Sequence, residues 1–315
     1  MPERILVIKL GALGDFIYAL GAMAAIRRAH KDAHISLLTT RPFAAMGQAC
    51  GYFNEVLIDP KPKAWDIFGW LSLRRMFARG GWQRVYDLQN NDRTEIYARL
   101  FPRLPEWVGA GSRATIRNDD PERPKHHAFL GHVATLKLAG IEDTDLDPLL
   151  WMKGDLTAFA LSKPYVLLVP GSSPGHPEKR WPILSYRSLA ARLVRQGFHP
   201  VLLGTKAEGD VTGEIARGLP VIDLTGRTDL FDIPELARGA VCAIGNDTGP
   251  MHMACVTGTP AIVLFCSKKS TIQKHGPQGR RVRALEAEDL TSISVDGVLS
   301  AFSELLTETA QSSLP

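Results

Sequence analysis

Between residues 240 and 265 the chain reads Ala-Val-Cys-Ala-Ile-Gly-Asn-Asp-Thr-Gly-Pro-Met-His-Met-Ala-Cys-Val-Thr-Gly-Thr-Pro-Ala-Ile-Val-Leu-Phe. No other stretch restricts the fold as much. Two short apolar runs, 240–244 and 261–265, have the β-branched character of buried parallel strands. Between them Asp247 or Thr248 is an N-cap candidate, and Pro250 falls in the first turn that follows, so a helix starts there. Met251, Ala254 and Cys255 would pack that helix on the sheet. Strand, Gly-rich turn, helix, strand is a βαβ unit whose helix terminus presents unpaired amides beyond the strand ends, a setting that suits a phosphate. One helix terminus stabilises an anion by only about 0.3–2 kcal/mol, so further cationic donors are expected close by.

The preceding residues supply them. Tyr165–Val169 reads as a buried strand, and a long polar loop, Pro170-Gly-Ser-Ser-Pro-Gly-His-Pro-Glu-Lys-Arg-Trp-Pro182, leaves its carboxyl end. Ser172 and Ser173 offer hydroxyls and amides, and Lys179 or Arg180 offers charge. A helix follows from Ile183 to Gln196. Further strands at 199–203 and 221–224 end in Gly204-Thr-Lys-Ala-Glu208 and Thr225-Gly-Arg-Thr228. One edge of this sheet is therefore polar and phosphate-friendly.

The first half repeats the α/β pattern. Ile5–Ile8 is a strand running into Lys9-Leu-Gly-Ala-Leu-Gly-Asp15, and apolar residues at helical spacing continue to His30. The glycines read G-x-x-G, and the next strand, Ile35–Leu38, ends in Thr-Thr-Arg41 where a ribose-binding acid would stand, so a dinucleotide fingerprint is missing. Asp15 lies where open α/β sheets keep their sites; it reads either as an N-cap or as a carboxylate facing the crevice. After a third strand at 56–58, residues 61–82 mix Trp65, Phe68, Trp70, Leu71 and Phe77 with Lys61, Lys63, Arg74, Arg75 and Arg79. That is an amphipathic helix with a solvated cationic face, or a segment that meets an anionic lipid headgroup or acidic glycan. A fourth strand at 85–88 leads into Gln89-Asn-Asn-Asp-Arg93-Thr94. His126-His127 opens a helical segment to Leu138, with no acid or cysteine at metal-ligand spacing.

The 315 residues suffice for two domains. A net charge of +4 is too small to argue for nucleic acid. Cys50, Cys242, Cys255 and Cys266 show no zinc or CxxC spacing and read as buried thiols. No apolar run approaches the roughly 18 residues of a membrane span, and no signal peptide is evident. The expectation is a cytoplasmic protein, at most peripheral to a membrane.

Taken together these motifs carry a resemblance. Lys9-Leu-Gly-Ala-Leu-Gly-Asp15, Tyr86-Asp-Leu-Gln-Asn-Asn-Asp-Arg-Thr94, the segment 126–141, the 169–182 loop, Leu224-Thr-Gly-Arg-Thr-Asp-Leu230 and the 245–265 stretch, in this order, are similar to the ADP-heptose:lipopolysaccharide heptosyltransferases of glycosyltransferase family 9. The resemblance covers nearly the whole chain. It implies an α/β GT-B architecture, two Rossmann-like domains with a deep interdomain cleft. An acceptor domain would span 1–155 and a nucleotide-sugar domain 156–294, with 295–315 a helix returning to the first domain. It implies an inverting transfer of heptose, or a related sugar, from an ADP-linked donor to the anionic lipopolysaccharide inner core, with no cofactor or metal.

By the same resemblance Asp15 is the catalytic base. Ser172, Ser173, Lys179, Glu208, Asp247, Thr248, Gly249 and His252 hold the donor, Asp247 as the cap that orients the helix amides. Lys61, Lys63, Arg74, Arg75, Arg79 and Arg93 face the acceptor. The chain departs from the family after 265, where Cys266-Ser-Lys-Lys-Ser-Thr-Ile-Gln-Lys-His275 replaces Gly-Pro-Thr-Asp-Pro and adds Lys268, Lys269 and Lys274. The competing expectations are a GT-B sugar-nucleotide isomerase of the 2-epimerase kind and a transferase using another nucleotide-sugar.

Overall fold

The structure, a computed structural model, describes residues 2–173 and 175–312. The chain divides into two compact units, Met1–Asp147 and Pro148–Pro315.

In the first unit β1 (Arg4–Ile8), α1 (Leu13–Ala29), β2 (His34–Thr39), α2 (Arg41–Ala49), β3 (Glu55–Ile58), α3 (Ile67–Arg79), β4 (Arg84–Asp87), α4 (Asp92–Leu100), β5 (Glu106–Gly109), β6 (Ile116–Arg117) and α5 (Ala128–Leu138) follow one another. The six strands pair in parallel in the order β3-β2-β1-β4-β5-β6. Leu6, Ile8 and Val85 point to the face covered by Leu73 and Phe77 of α3 and Tyr97 of α4. The helix α1 is buried over most of its circumference, as an apolar-all-round helix must be, and packs beside α5.

The second unit repeats the plan with β7 (Tyr165–Val169), α6 (Ile183–Arg195), β8 (His199–Leu202), α7 (Gly209–Ala216), β9 (Ile222–Asp223), α8 (Asp232–Gly239), β10 (Cys242–Asn246), α9 (Gly249–Val256), β11 (Ala261–Cys266), α10 (Ile272–His275), β12 (Val282–Ala287) and α11 (Val295–Ser312). Its parallel order is β12-β11-β10-β7-β8-β9. Every residue of β7, β10 and β11 is buried, which is what a parallel sheet covered on both faces requires. Val166, Leu168 and Ile244 meet α6 on one face. Leu167, Ala243 and Val263 meet α8 and α9 on the other.

Two expectations about the organisation are corrected. Residues 148–155, expected in the first domain, belong to the second: Arg238 of α8 donates to the carbonyls of Leu149 and Met152. The final helix was expected on the first domain. Instead Val298, Leu299, Phe302 and Leu305 of α11 complete the second unit's core against Leu189 and Leu193 of α6 and Leu264 of β11. They share the cover of this face of the sheet with α6.

In both units the first strand has neighbours on either side from which the strand order runs outward in opposite directions. That reversal is where open α/β sheets bind their ligands, beyond the carboxyl ends of the strands.

Candidate active site

In the second unit the reversal lies between β7 and β10, and Asn246, the last residue of β10, fastens the two exits together. Its buried amide donates to Pro170 O at 2.7 Å and Gly171 O at 3.2 Å. Its Oδ1 accepts the Trp181 backbone N–H at 3.1 Å and the Tyr186 hydroxyl at 3.0 Å. Trp181, itself buried, donates its indole N–H to Ile293 O. The 170–182 loop is thus held at both ends, and a short 3-10 turn, Pro177–Lys179, sits between them.

That turn delivers Lys179. Its Nζ lies 2.6 Å from Asp247 Oδ2, and His252 Nε2, from α9, is 3.2 Å from Oδ1 of the same carboxylate. Burial alone would raise the Asp247 carboxyl, but His252 and Lys179 outweigh it and hold its pKa below the ordinary value. Asp247 is not the helix cap expected of it, because its carboxylate is committed to Lys179 and His252. The N-cap of α9 is Thr248, whose side chain makes no cap hydrogen bond and whose Oγ1 is buried and unpartnered. Lys179, His252, an orphan hydroxyl and the α9 amides at Gly249 therefore converge at one strand end. Such a set offers an anion both side-chain and backbone donors at one place.

The other donor-side candidates are distributed differently. Ser172 is buried and spends its hydroxyl inside the loop, accepting from Arg180 Nε at 2.9 Å and donating to His176 O. Ser173 is exposed beside it. Glu208 caps its own turn, accepting the Thr205 amide at 2.7 Å and hydroxyl at 3.0 Å. The Glu208 carboxylate also lies against Gly171, so that a side chain there would displace it. Of the added lysines, Lys269 pairs with Glu178 at 3.2 Å, tying the loop after β11 to the turn carrying Lys179. The Glu178 backbone N–H, His176 and Lys269 pull that carboxyl down to about 2.

In the first unit Asp15 is the third residue of α1, half-buried just beyond β1. The N-cap there is Ala12, so the N-cap alternative for Asp15 does not hold. Sequence reasoning missed what stands behind it. Lys9 is buried and donates to Leu88 O at 3.1 Å. Burial lowers its pKa, with Asp15 and Asp87 pulling the other way. The buried Asp87 carboxylate accepts the Gln89 and Asn90 amides, and Gln89 Oε1 accepts the Leu10 amide, so the exits of β1 and β4 are laced together. His132 lies in the same buried group. Burial first, then Lys9, Arg123 and His127, hold its imidazole well below the ordinary value. The one signal in the sequence was a charge, Lys9, ending an otherwise apolar strand.

A cavity of about 380 Å³ opens beside this group, lined by Asp87, Asn90, Arg99 and Arg123 among others. A larger one of about 480 Å³ lies at the opposite end of the sheet around Phe77, Trp82 and Phe101, away from the strand exits. The basic candidates Lys61, Lys63, Arg74, Arg75 and Arg79 are exposed on and before α3. Arg93 is spent on the fold: its guanidinium donates to Pro62 O and the Tyr97 hydroxyl and lies over the Trp70 ring. Among the described residues no group of three or more His, Cys, Asp and Glu side chains gathers as a metal site.

Two parallel-sheet α/β units of this topology are the architecture of the GT-B class. The profile of glycosyltransferase family 9 (heptosyltransferase) matches residues 142–295. Lipopolysaccharide heptosyltransferase 2 of Escherichia coli is 30% identical over 288 residues, covering 83% of this chain and 82% of that protein. Lipooligosaccharide heptosyltransferase 2 of Haemophilus influenzae is 33% identical over 115 residues, and there the match spans 35% of this chain and 33% of the relative's length. The E. coli heptosyltransferase WaaC, solved with ADP-2-deoxy-2-fluoro heptose, superposes with a TM-score of 0.72 at 17% identity, over 96% of this chain and 99% of that one. The chain belongs to glycosyltransferase family 9, the heptosyltransferase family.

Proposed function

We propose that the protein transfers heptose from an ADP-linked donor to a hydroxyl of the lipopolysaccharide inner core, with inversion at the anomeric carbon. The observation that carries this reading is the Lys179–Asp247–His252 cluster at the start of α9, beside the unpartnered Thr248 hydroxyl. Asp247 holds Lys179 and His252 together at the strand exit, where both side chains are positioned for a pyrophosphate. As the bond from the anomeric carbon to the phosphate oxygen breaks, negative charge grows on the leaving diphosphate, where Lys179 and the α9 amides receive it. Asp15 takes the proton of the attacking acceptor hydroxyl as the new glycosidic bond forms.

Ser173, Gly249 and the rim of Glu208 complete the donor contacts in this reading. Ser172 and Asp247 position their neighbours. The exposed cations Lys61, Lys63, Arg74, Arg75 and Arg79 receive the acceptor's phosphates and carboxylates. Because the acceptor is lipid-borne, the protein works at the cytoplasmic face of the inner membrane without spanning it; no described helix is long and apolar enough to cross one.

A thermal-shift panel of ADP-, GDP- and UDP-sugars tests the donor, with ADP-heptose expected to stabilise most. A transfer assay on a heptose-free inner core tests the acceptor. A preference for UDP-sugars overturns the heptosyl assignment. Turnover of nucleotide-sugar without acceptor replaces the transferase with an isomerase.

A further inference from the structure

The geometry points to the start of α3 and the loop before it as a membrane-docking face that inserts into an anionic bilayer. Trp65 is 76% exposed, Ile67 67%, Phe68 85% and Leu71 41%. Four of the ten large apolar side chains that stand exposed among the described residues thus fall within seven positions. The other six stand singly, apart from the adjacent Ile183 and Leu184, as exposed apolar residues ordinarily do. The same helix buries Leu73 and Phe77 in the core, so the exposed group is a second apolar face that the fold leaves uncovered.

The segment is held in place before any partner arrives. Asp59 accepts the Lys61 amide at 2.8 Å, and Arg93 donates to Pro62 O. The Trp70 indole donates to Lys63 O at 2.9 Å, and Asp66 caps the helix through the Gly69 amide at 2.8 Å. Several of the segment's backbone groups, which would be costly to carry unpaired into lipid, are thereby already paired. The apolar side chains project from a fixed platform, and little ordering cost remains for insertion.

The charges identify the occupant. From residue 60 to 79 the cations are Lys61, Lys63, Arg74, Arg75 and Arg79, all exposed, against the single acid Asp66. Lys63 lies over the Trp65 ring, 5.3 Å from its centroid. Arg74 follows Ile67 by about 10 Å along the helix axis, taking 1.5 Å per residue. An apolar tip followed by cations at that depth matches the roughly 5–10 Å that interfacial helices bury and the negative headgroups above it. A second copy of this chain would bring the same positive charges against themselves. The inference rests on the lipid-linked acceptor only for its biological reason.

The test is co-sedimentation of the full chain with vesicles of phosphatidylglycerol and phosphatidylethanolamine, and separately of phosphatidylcholine alone. Binding is expected on the anionic vesicles, at least tenfold weaker on the neutral ones and weakened by 0.5 M salt. The W65S/F68S double variant should lose at least tenfold in anionic-vesicle partition while keeping its melting temperature, because neither side chain packs in the core. On a delipidated inner-core acceptor its turnover should stay within twofold of the parent. Equal partition of variant and parent, or no binding of the parent to anionic vesicles, overturns the proposal. So does concentration-dependent dimerisation in sedimentation velocity that the double variant abolishes. A parent that binds vesicles yet transfers no sugar to the delipidated acceptor leaves this inference standing and removes the functional reading instead.

Discussion

Lys179 is held by a carboxylate that the donor must compete with, and its replacement should separate binding from folding. Lys179→Ala removes one charge-assisted contact to the diphosphate, worth about 1.5–3 kcal/mol, so ADP affinity should fall roughly 10- to 150-fold in calorimetry. Asp15→Asn should do the opposite. Removing a general base costs about 10²–10⁴ in rate, while ADP should still raise the melting temperature as in the parent. A loss of ADP binding in Asp15→Asn would place that residue on the donor instead.

The buried histidine carries a pH signature. With its folded pKa depressed by burial and by Lys9, Arg123 and His127, His132 takes up a proton on unfolding at any pH between that value and about 6.5. Its contribution is fully present above about 6.5 and is lost as pH falls, by up to about 1.4 kcal/mol per pH unit. His30, also lowered by burial first, adds to the slope. Denaturant melts at pH 7 and 5.5 should show the loss, and His132→Leu should shrink it. Asp247 acts lower down. Its depressed pKa contributes stability that is present above about 4 and lost as pH falls through the folded value.

Among the elements, the fastening of the β7 and β10 exits is the one whose loss should spread furthest. Asn246→Ala leaves the Trp181 amide, the Tyr186 hydroxyl and the Pro170 carbonyl without their partner. A stranded buried group costs about 1–3 kcal/mol; some of these groups will find others, so a total near the upper end, about 3 kcal/mol, is expected in chemical melts. ADP affinity should drop as well, since the turn bearing Lys179 loses its anchor.

Elements with a strong apolar signal were legible from the chain: β1, β7, β10, β11 and α9 appear within two residues of where the pattern placed them. The thin ones were not. In α4 only Thr94, Tyr97 and Ala98 are buried, so charged residues hid its period. Its capping box between Asn91 and Thr94 was the available cue. The edge strand β12, with Arg283 and Glu286 in it, lacks the continuous apolar run of a central strand. The helix α7 carries glycines at 209 and 213, which weaken any helical reading. For the site, Lys179 and the α9 terminus stood out because loops after buried strands were polar. The engagement of Ser172, Glu208 and Arg93 within the fold was invisible, because their partners are set by tertiary packing and not by neighbours in sequence.

For the whole molecule, the proposed mechanism divides the chemistry: it puts the donor-side groups on residues after 148 and the base on residues before it. Hydrogen exchange with and without ADP should register that division. Protection is expected in the 170–182 loop and at the start of α9, with the amides of β1 to α5 unchanged. Protection spread evenly over both units would mean that ADP is not read by the second alone.

The placement of α11 has a consequence for how the protein is made. The first unit has all of its core once residue 147 has been synthesised, but the second has its first strand at 165 and core side chains as late as Leu305. About 40 residues separate the end of β11 at Cys266 from Leu305, so at about 5–20 residues per second the strip of that sheet which α11 covers stays open for roughly 2–8 s. During that interval β7, β10 and β11 are translated but cannot be sealed, and a chaperone that shields apolar strands should engage nascent chains arrested near residue 290 and release those arrested well beyond 305.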